Sequence, residues 1–314
     1  MSTFWIVMIV LSGFAFVSVL MYLAFNCFFY YLSLSRKSLT RAIVQRHIKK
    51  NYKKFKFDFE WFDKKKSEDL TRRSADGKRL VAKFYKRKDD NKLAIVCHGY
   101  GADYREMGLY VKYFYNRGYS VLIPQFKAHG QSEGKRIGMG WSDRLDIKGW
   151  IKDMVKLNPE YRIVLFGLSM GASTVCMTVG EDLPNNVRCA ISDCGYANVY
   201  DQFASIAKKI KLNPKLIMTM YNNFLSFMYG INLKKYDAVK QLKKAKVPML
   251  FIHGTSDEFV PYENLHKLYE AYPNQTKMIY SCEGASHAMS YPSKEKKYEK
   301  VLGEFLKKYY DEKK

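Results

Sequence analysis

The 314-residue sequence predicts an α/β domain with a mostly parallel, twisted sheet, helices on both faces and a helical cap insertion, preceded by one N-terminal transmembrane helix. Short apolar runs alternate with amphipathic segments after residue 92, which is typical of buried parallel strands joined by helices. Hydrophobic residues make up 47% of the chain and charged residues 26%, which excludes a wholly disordered protein. The apolar N-terminus predicts the membrane helix.

Residues 1–35 are predicted to form the membrane anchor. From Phe4 to about Leu34 the chain contains no Asp, Glu, Lys, Arg or His. A bilayer core needs roughly 20 such residues as a helix, so this segment is long enough to span. A cleaved signal peptide is the alternative, but the first residues lack a basic group and the apolar run is about twice the length of a signal peptide's core.

Residues 36–66 form a predicted basic juxtamembrane linker. No acidic residue precedes Asp58 in this segment, and the basic residues before it are Arg36, Lys37, Arg41, Arg46, Lys49, Lys50, Lys53, Lys54 and Lys56. The positive-inside rule therefore places the following domain in the cytoplasm. Each basic residue near anionic lipid contributes about 1 kcal/mol of membrane attraction. The segment is alternatively a solvated linker whose charges only set the topology.

The net charge of +23 and pI near 9.6 indicate an anionic partner, either a membrane surface or nucleic acid. Much of this charge lies beside the predicted span, and no aromatic RNA-binding motif, zinc knuckle or recognition-helix pattern is present. We therefore expect a membrane partner and no nucleic acid. The six cysteines form no Cys-x-x-Cys pair and the chain has no His-Glu-x-x-His motif, so no metal site is predicted.

The predicted globular domain covers residues 67–314. An Asp76-Gly77 turn between two strand-like runs predicts an opening hairpin. The strands expected after it are Lys92–Cys97, Tyr119–Pro124, Tyr161–Phe166, Val187–Ser192, Val247–Ile252 and Thr276–Ser281. Helices are expected over Tyr104–Asn116 and Trp141–Leu157 and from about Met170, Tyr262 and Ser293.

The alternation stops between about residues 198 and 246, where the chain is helix-prone and rich in Leu, Met, Phe and Lys. An insertion at this place in the order of strands is expected to form a cap over the carboxyl ends of the strands. An additional packing layer is the alternative interpretation, because hydrophobic periodicity does not distinguish the two.

The string Gly167-Leu-Ser169-Met-Gly171 follows an apolar strand and precedes a helix. Gly-x-Ser-x-Gly alone arises by chance in roughly one chain in ten of this length. In this setting, however, a sharp turn lifts the serine hydroxyl above the sheet. The pattern predicts Ser169 as a nucleophile, with the Met170 N–H at a helix start facing the developing negative charge.

A serine nucleophile needs a base and an acid that orients the base, and on this fold both follow the serine at strand ends. Asp257 comes just after one predicted strand and His287 just after the next. Asp193 competes for the role of the acid because it ends an earlier strand, and Glu258 competes less well because it is adjacent to Asp257. The remaining histidines fit the predicted order less well: His47, His98, His129, His253 and His266.

A second donor for the oxyanion is expected from the loop His98-Gly-Tyr-Gly101, which follows the Lys92–Cys97 strand. Its glycines allow the backbone to approach a substrate closely, and the Tyr100 N–H is the expected donor beside Met170. A simple glycine turn after a buried strand is the alternative. Losing one oxyanion donor typically costs roughly 3 kcal/mol in the barrier.

Together, the motifs VCHGYGAD, AHGQSEG, GLSMGA, SDCGYANVYDQF, FIHGTSDEFVP and GASHAMSY resemble the α/β-hydrolase superfamily from about Asp69 to Tyr310. Within it, the chain is similar to membrane-anchored bacterial hydrolases of the serine-aminopeptidase-like group. The resemblance implies a Ser169–Asp257–His287 triad, oxyanion donors at Tyr100 and Met170, a variable lid, and no metal or organic cofactor. Phe126 and Ala128 depart from the family pattern, whereas His129 and Ser132 are retained as hydrogen-bonding residues.

The expected function is a carboxylesterase- or lipase-like serine hydrolase. The resemblance does not define the substrate, but the apolar cap and the anchor suggest acyl or lipid-like esters. A serine aminopeptidase is the alternative within the fold, and a non-catalytic membrane scaffold is the alternative outside enzymes. An aminopeptidase needs carboxylates to hold the substrate ammonium group, but between Gln202 and Lys246 the only acidic residue is Asp237.

Overall fold

The apolar runs of the sequence form the strands of one sheet in the computed structural model, which describes residues 2–42, 46, 59–87 and 91–311. Within these ranges the sheet has eight strands in the order β1-β2-β4-β3-β5-β6-β7-β8. The pairs β1/β2 and β2/β4 are antiparallel and the others are parallel. The strands are β1 Glu68–Arg73, β2 Arg79–Tyr85, β3 Lys92–Cys97, β4 Ser120–Gln125, β5 Arg162–Leu168, β6 Val187–Asp193, β7 Met249–Gly254 and β8 Lys277–Cys282.

Helices connect the parallel strands and pack on both faces of the sheet. They are α1 Thr3–Ser33, α2 Phe59–Lys64, α3 Gly108–Asn116, α4 Asp143–Leu157, α5 Met170–Thr178, α6 Val199–Lys209, α7 Pro214–Tyr229, α8 Ala238–Leu242, α9 Glu263–Ala271, α10 Ser290–Ser293 and α11 Glu295–Leu306. A single 3₁₀ turn over Tyr104–Met107 leads into α3, and another covers Leu233–Lys235. The predicted mostly parallel α/β architecture is therefore confirmed.

Both faces of the central strands are buried, as expected for parallel strands covered on two sides. Along β5, Ile163 and Leu165 belong to one hydrophobic core, while Val164 and Phe166 belong to the other. Successive side chains of a strand point to opposite faces, so an unbroken apolar run supplies both cores.

The observed strands begin one or two residues later than several of the predicted ones. The predicted strand Val247–Ile252, for example, is observed as β7 Met249–Gly254. Pro248 has no N–H group and cannot donate to the ladder, which is why the regular strand starts after it. The predicted hairpin is observed as β1 and β2, with Gly77 at a φ of 77° in the turn.

The insertion contains α6, α7 and α8, and its two ends lie side by side. An isolated β-bridge pairs Asn198 with Asp237, and the Ala238 N–H donates to the Ala197 carbonyl at 2.8 Å. The segment therefore leaves and re-enters the domain at one point, between β6 and β7. We call residues 198–242 the cap.

Helix α1 is long and apolar enough, by length and composition, to cross a membrane. Residues 43–45 and 47–58 of the basic linker expected after it, which include His47 and the lysines from Lys49 to Lys56, lie outside the described residues. The described parts of the predicted linker contact the domain: Phe62 of α2 is buried beside Tyr85 and Tyr104. The Arg36 guanidinium donates to the carbonyls of Gly130 and Ser132 at 2.7 and 2.6 Å.

Candidate active site

Ser169 stands at a strained turn between β5 and α5. Its φ of 56° and ψ of −118° are unfavourable for a residue with a Cβ atom. The flanking glycines are required by packing, because a Cβ atom at Gly167 would lie 2.2 Å from the Gly171 carbonyl oxygen and one at Gly171 would lie 2.1 Å from that of Cys97. The turn therefore has the geometry that presents a serine hydroxyl above the edge of a sheet.

The structure brings together Ser169, His287 and Asp257, which the sequence places far apart. The Ser169 Oγ lies 2.9 Å from the His287 Nε2, and the His287 Nδ1 lies 2.7 Å from the Asp257 Oδ2. The three residues follow β5, β8 and β7, whose carboxyl ends lie at the same edge of the sheet. Such a continuous chain of hydrogen bonds can transfer the serine proton to the imidazole.

The Asp257 carboxylate is held in place by several donors. Its Oδ1 accepts hydrogen bonds from the N–H groups of Phe259 and Val260, both at 2.9 Å. Burial alone would raise the pKa of this carboxyl group, but its hydrogen bonds with His253 and His287 outweigh burial and hold the pKa well below its usual range. Asp257 is therefore a carboxylate that orients the His287 ring.

The two competing acids do not occupy this position. Asp193 accepts a hydrogen bond from the Tyr298 hydroxyl at 2.8 Å, and burial raises its pKa to about 7. The Glu258 side chain is 92% exposed and lies 3.9 Å from the Lys209 ammonium nitrogen. Asp193 ends a neighbouring strand and Glu258 is the next residue in the chain, yet neither carboxyl group has the hydrogen-bonding environment of Asp257.

His253 also belongs to the site. Its contact with Asp257 was not predicted from the sequence. Its ring is buried at the end of β7, and its Nε2 lies 3.2 Å from the Asp257 Oδ2 and 3.0 Å from the Val260 carbonyl oxygen. The signal in the sequence is its place four residues before the acid, at a strand end. His253 holds the loop that carries Asp257.

The expected oxyanion donors lie beside Ser169. Met170 is the first residue of α5, where backbone N–H groups have no partner within the helix. Tyr100 follows Gly99, whose Cβ position would lie 3.5 Å from the Ser169 Cβ. Both backbone segments therefore flank the serine from different loops.

Buried histidines hold the loop that contains Tyr100. The His98 Nε2 accepts from the Phe126 N–H at 3.2 Å, and the His129 Nε2 accepts from the Gly101 N–H at 3.0 Å. The hydroxyl of Tyr100 donates to the Ser33 carbonyl of α1 at 3.0 Å. The side chain of the expected oxyanion residue is thus tied to the N-terminal helix.

A cavity of about 260 Å³ extends from Ser169 beneath the cap. It is lined mostly by apolar side chains of three regions: the end of α1, the loops at the sheet edge, and the cap helices α6 and α7. Its lining includes Phe29, Leu32, Met139, Tyr196, Phe203, Ile206, Met218, Tyr221, Phe259 and Val260. An apolar cavity beside a reactive hydroxyl is suited to an acyl chain.

One group of metal-ligating atoms occurs here among the described residues, formed by Cys194, Asp257 and His287 within 4.8 Å of one another. Burial, followed by the charges of Asp193 and Asp257, raises the pKa of the Cys194 thiol well above its usual value, which disfavours the thiolate that metals bind. The 2.7 Å separation between Asp257 and His287 is that of a direct hydrogen bond. The donor set fits a histidine–carboxylate pair better than a metal centre.

Comparison with known proteins gives one family. The family model described as "Serine aminopeptidase, S33", a hydrolase model, matches residues 88–226 and 219–291. The protein YqkD of Bacillus subtilis is 29% identical over 215 residues, which cover 68% of this chain and 70% of YqkD.

Solved structures share the fold. The Pyrococcus furiosus esterase Pf2001 matches with a TM-score of 0.65 at 23% identity, over 78% of this chain and 91% of the esterase. An acylaminoacyl peptidase of Pyrococcus horikoshii matches with a TM-score of 0.57 at 20% identity, over 81% of this chain and 44% of the peptidase. At these identities the likeness shows the fold alone.

Proposed function

Because the chain belongs to the serine aminopeptidase S33 family of α/β-hydrolases, we propose that it is a serine hydrolase that cleaves carboxylic esters with acyl or lipid-like groups. The observation that carries this proposal is the hydrogen-bonded series from the Ser169 Oγ through His287 to Asp257, with distances of 2.9 and 2.7 Å. Each member stands where acyl transfer requires a nucleophile, a base and an orienting carboxylate.

The proposed reaction proceeds through an acyl-enzyme. The Ser169 Oγ forms a bond with the ester carbonyl carbon while the His287 Nε2 takes the hydroxyl proton. His287 then donates that proton to the alcohol as the carbon–oxygen bond breaks. A water molecule then attacks the acyl-enzyme while His287 takes one of its protons. His287 returns that proton to the Ser169 Oγ as the bond between this oxygen and the acyl carbon breaks, which releases the carboxylic acid.

The backbone N–H groups of Tyr100 and Met170 are proposed to hold the oxyanion of both tetrahedral intermediates. Their loops are fixed before substrate arrives, one by the hydrogen bonds of His98 and His129 and the other by the start of α5. Donors that are already oriented stabilise developing charge without reorganisation during the reaction.

The lining of the cavity supports an ester substrate over an aminopeptide. Among the described residues that line it, none is Asp, Glu, Lys or Arg, and most are apolar. A substrate ammonium group would lose its hydration there without a carboxylate to pair with, which costs several kcal/mol. An acyl chain instead gains free energy by leaving water.

We further propose that the protein is held in a membrane by α1, with the catalytic domain on the cytoplasmic side. The basic residues after α1 support this orientation. The packing of α1 on the folded domain supports an uncleaved anchor: the Ser33 and Tyr221 hydroxyls lie 2.6 Å apart, and the Tyr22 hydroxyl donates to the Met220 carbonyl at 3.1 Å.

The mechanism is tested with the Ser169→Ala variant. We expect the kcat for p-nitrophenyl esters to fall by at least about 10⁴-fold, and labelling by a fluorophosphonate probe to disappear. The melting temperature of the variant is expected not to decrease, which separates loss of chemistry from loss of folding. Full activity in this variant would refute the proposal. A panel of acyl esters and aminoacyl anilides distinguishes the esterase from the peptidase.

A further inference from the structure

The cavity that leads to Ser169 has one wall made of the N-terminal helix. Phe29, Leu32 and Ser33 of α1 line it together with Phe203, Ile206 and Met218 of the cap. An anchor that served only to tether the domain would need no contact with the active site. The arrangement makes the end of α1 a part of the substrate site.

The burial pattern divides α1 into two parts. Residues 3–21 are exposed at every position, and they span about 28 Å as a helix, close to the roughly 30 Å of a bilayer core. From Tyr22 onward half-buried or buried positions recur, most of them at helical spacing, at residues 22, 25, 26, 29, 30, 32 and 33. The last three turns of α1 therefore pack on the domain at the point where the helix leaves the bilayer.

Helix α7 of the cap is the partner of these positions on α1. The Phe29 and Tyr221 rings lie 5.7 Å apart, and the Tyr30 and Tyr229 rings stack at 4.8 Å. Next to this contact the same end of α7 exposes Phe227 and Met228, at 89% and 49%. Large apolar side chains in such a position favour immersion in lipid over contact with water.

We propose that the last turns of α1 form the binding wall for the acyl chain of a membrane lipid ester, which passes from the bilayer along α1 and α7 to Ser169. This inference rests on the proposed hydrolase function and adds its substrate class and the residues that select it. The cavity of about 260 Å³ lies just below the roughly 300–1,000 Å³ of drug-sized ligand sites, so it suits one acyl chain.

The experiment compares substitutions of adjacent residues on α1 in the full-length protein, purified in detergent. Leu32→Trp places a larger side chain in the wall of the cavity and so reduces the room for an acyl chain. Its control is Tyr31→Trp, at a position that is 43% exposed. Phe29→Ala enlarges the cavity, and its control is Phe28→Ala, at a position that is 55% exposed. The readout is kcat/KM for p-nitrophenyl acetate, p-nitrophenyl decanoate and p-nitrophenyl palmitate.

We expect Leu32→Trp to lower the decanoate-to-acetate ratio of kcat/KM by about tenfold or more, because the room lost is that of at least one methylene group. We expect Phe29→Ala to raise the rate for longer chains relative to decanoate. The two control variants should keep the wild-type profile. For 1-oleoylglycerol in phosphatidylcholine vesicles, we likewise expect Leu32→Trp to lower kcat/KM relative to the wild type, and the two control variants to retain the wild-type value.

Fluorophosphonate labelling of Ser169 in each variant verifies that the catalytic site is intact. Identical chain-length profiles in wild type and all four variants would overturn the inference while leaving the hydrolase function in place. Equal effects of a wall variant and its control would overturn it as well, since they would indicate a general effect on folding. A wild-type protein that neither reacts with the probe nor cleaves any ester would instead refute the proposed function.

Discussion

At the scale of single residues, the environment of each side chain decides its chemical role. Asp193 is the last residue of β6, and Asp257 lies three residues beyond the end of the neighbouring strand β7, at the same edge of the sheet. Asp257 contacts two imidazoles and two backbone N–H groups, whereas the described partner of the Asp193 carboxyl is the Tyr298 hydroxyl. The hydrogen bonds keep the first an anion, and burial favours the protonated form of the second.

The two aspartates are therefore expected to respond differently to the same substitution. Asp257→Asn should lower kcat by about 10⁴-fold, because an amide no longer stabilises the imidazolium or selects its tautomer. Asp193→Asn should leave kcat largely unchanged, because the amide resembles the protonated carboxyl group. Steady-state kinetics on one ester measures both, and a larger loss in the Asp193 variant would contradict the assignment of the acid.

His98 is predicted to make the fold sensitive to acid. Its ring is buried, which lowers its pKa to about 4, and its Nε2 must stay unprotonated to accept from the Phe126 N–H. The unfolded histidine has a pKa of about 6.5, so between these values the unfolded state binds more protons. Stability is thus lost as the pH falls from about 6.5 through 4, by up to roughly 3 kcal/mol from this group.

Urea denaturation between these pH values tests the prediction. His98→Asn should be less stable at neutral pH but should show a weaker dependence of the unfolding free energy on pH. His266→Asn is the matched control for the loss of an imidazole, since the His266 side chain is exposed on α9. Equal slopes in the wild type and the His98 variant would contradict a neutral, buried His98.

At the scale of secondary-structure elements, close contact between backbones positions the site. Helix α5 starts directly after Ser169 and packs on the end of β3 through Gly171. This contact brings the Met170 N–H and the loop with Tyr100 to the same hydroxyl. A side chain at position 171 would push the two segments apart.

Alanine substitutions at two helical glycines measure this contact. Gly171→Ala should destabilise the protein by about 3 kcal/mol, because its Cβ would lie 2.1 Å from the Cys97 carbonyl oxygen. Gly303→Ala, in α11 with no heavy atom within 4 Å of the added Cβ, should stabilise it by about 0.5–1 kcal/mol. Thermal or urea unfolding measures both, and a tolerated Gly171→Ala would contradict the close packing of α5 on β3.

At the scale of the whole molecule, the N-terminal segment and the domain form one structure, in which the end of α1 lines the cavity beside Ser169. The residues after α1 contribute to this contact: the Arg41 guanidinium donates to the Ala128 carbonyl at 2.6 Å, and the Ile137 N–H donates to the Leu34 carbonyl at 2.7 Å. Two of the basic residues, Arg36 and Arg41, thus bind loop carbonyls besides contributing positive charge. These hydrogen bonds give both arginines a structural role, in addition to the effect on membrane topology proposed for their charge.

The proposed topology predicts opposite labelling of the two ends of the chain. The Cys27→Ser substitution removes the exposed native cysteine, and the other five cysteines are buried. Ser2→Cys should then react with a membrane-impermeant maleimide in intact cells. Glu263→Cys, at an exposed position of the domain, should react only after lysis. Labelling of Glu263→Cys in intact cells would place the domain outside and contradict the positive-inside interpretation.

The sequence by itself determined the fold class and the candidate nucleophile, base and acids. Hydrophobic periodicity, turn glycines and positions just after apolar runs are local properties, and strand ends meet at one edge in any parallel sheet. Only the tertiary structure decided which carboxylate contacts His287, because loop geometry beyond the strand end selects Asp257. It also decided that Phe29 and Leu32 face the cavity while Phe28 and Tyr31 do not. In a uniformly apolar helix, side chains that face protein and those that face lipid have the same hydropathy, so composition does not separate them.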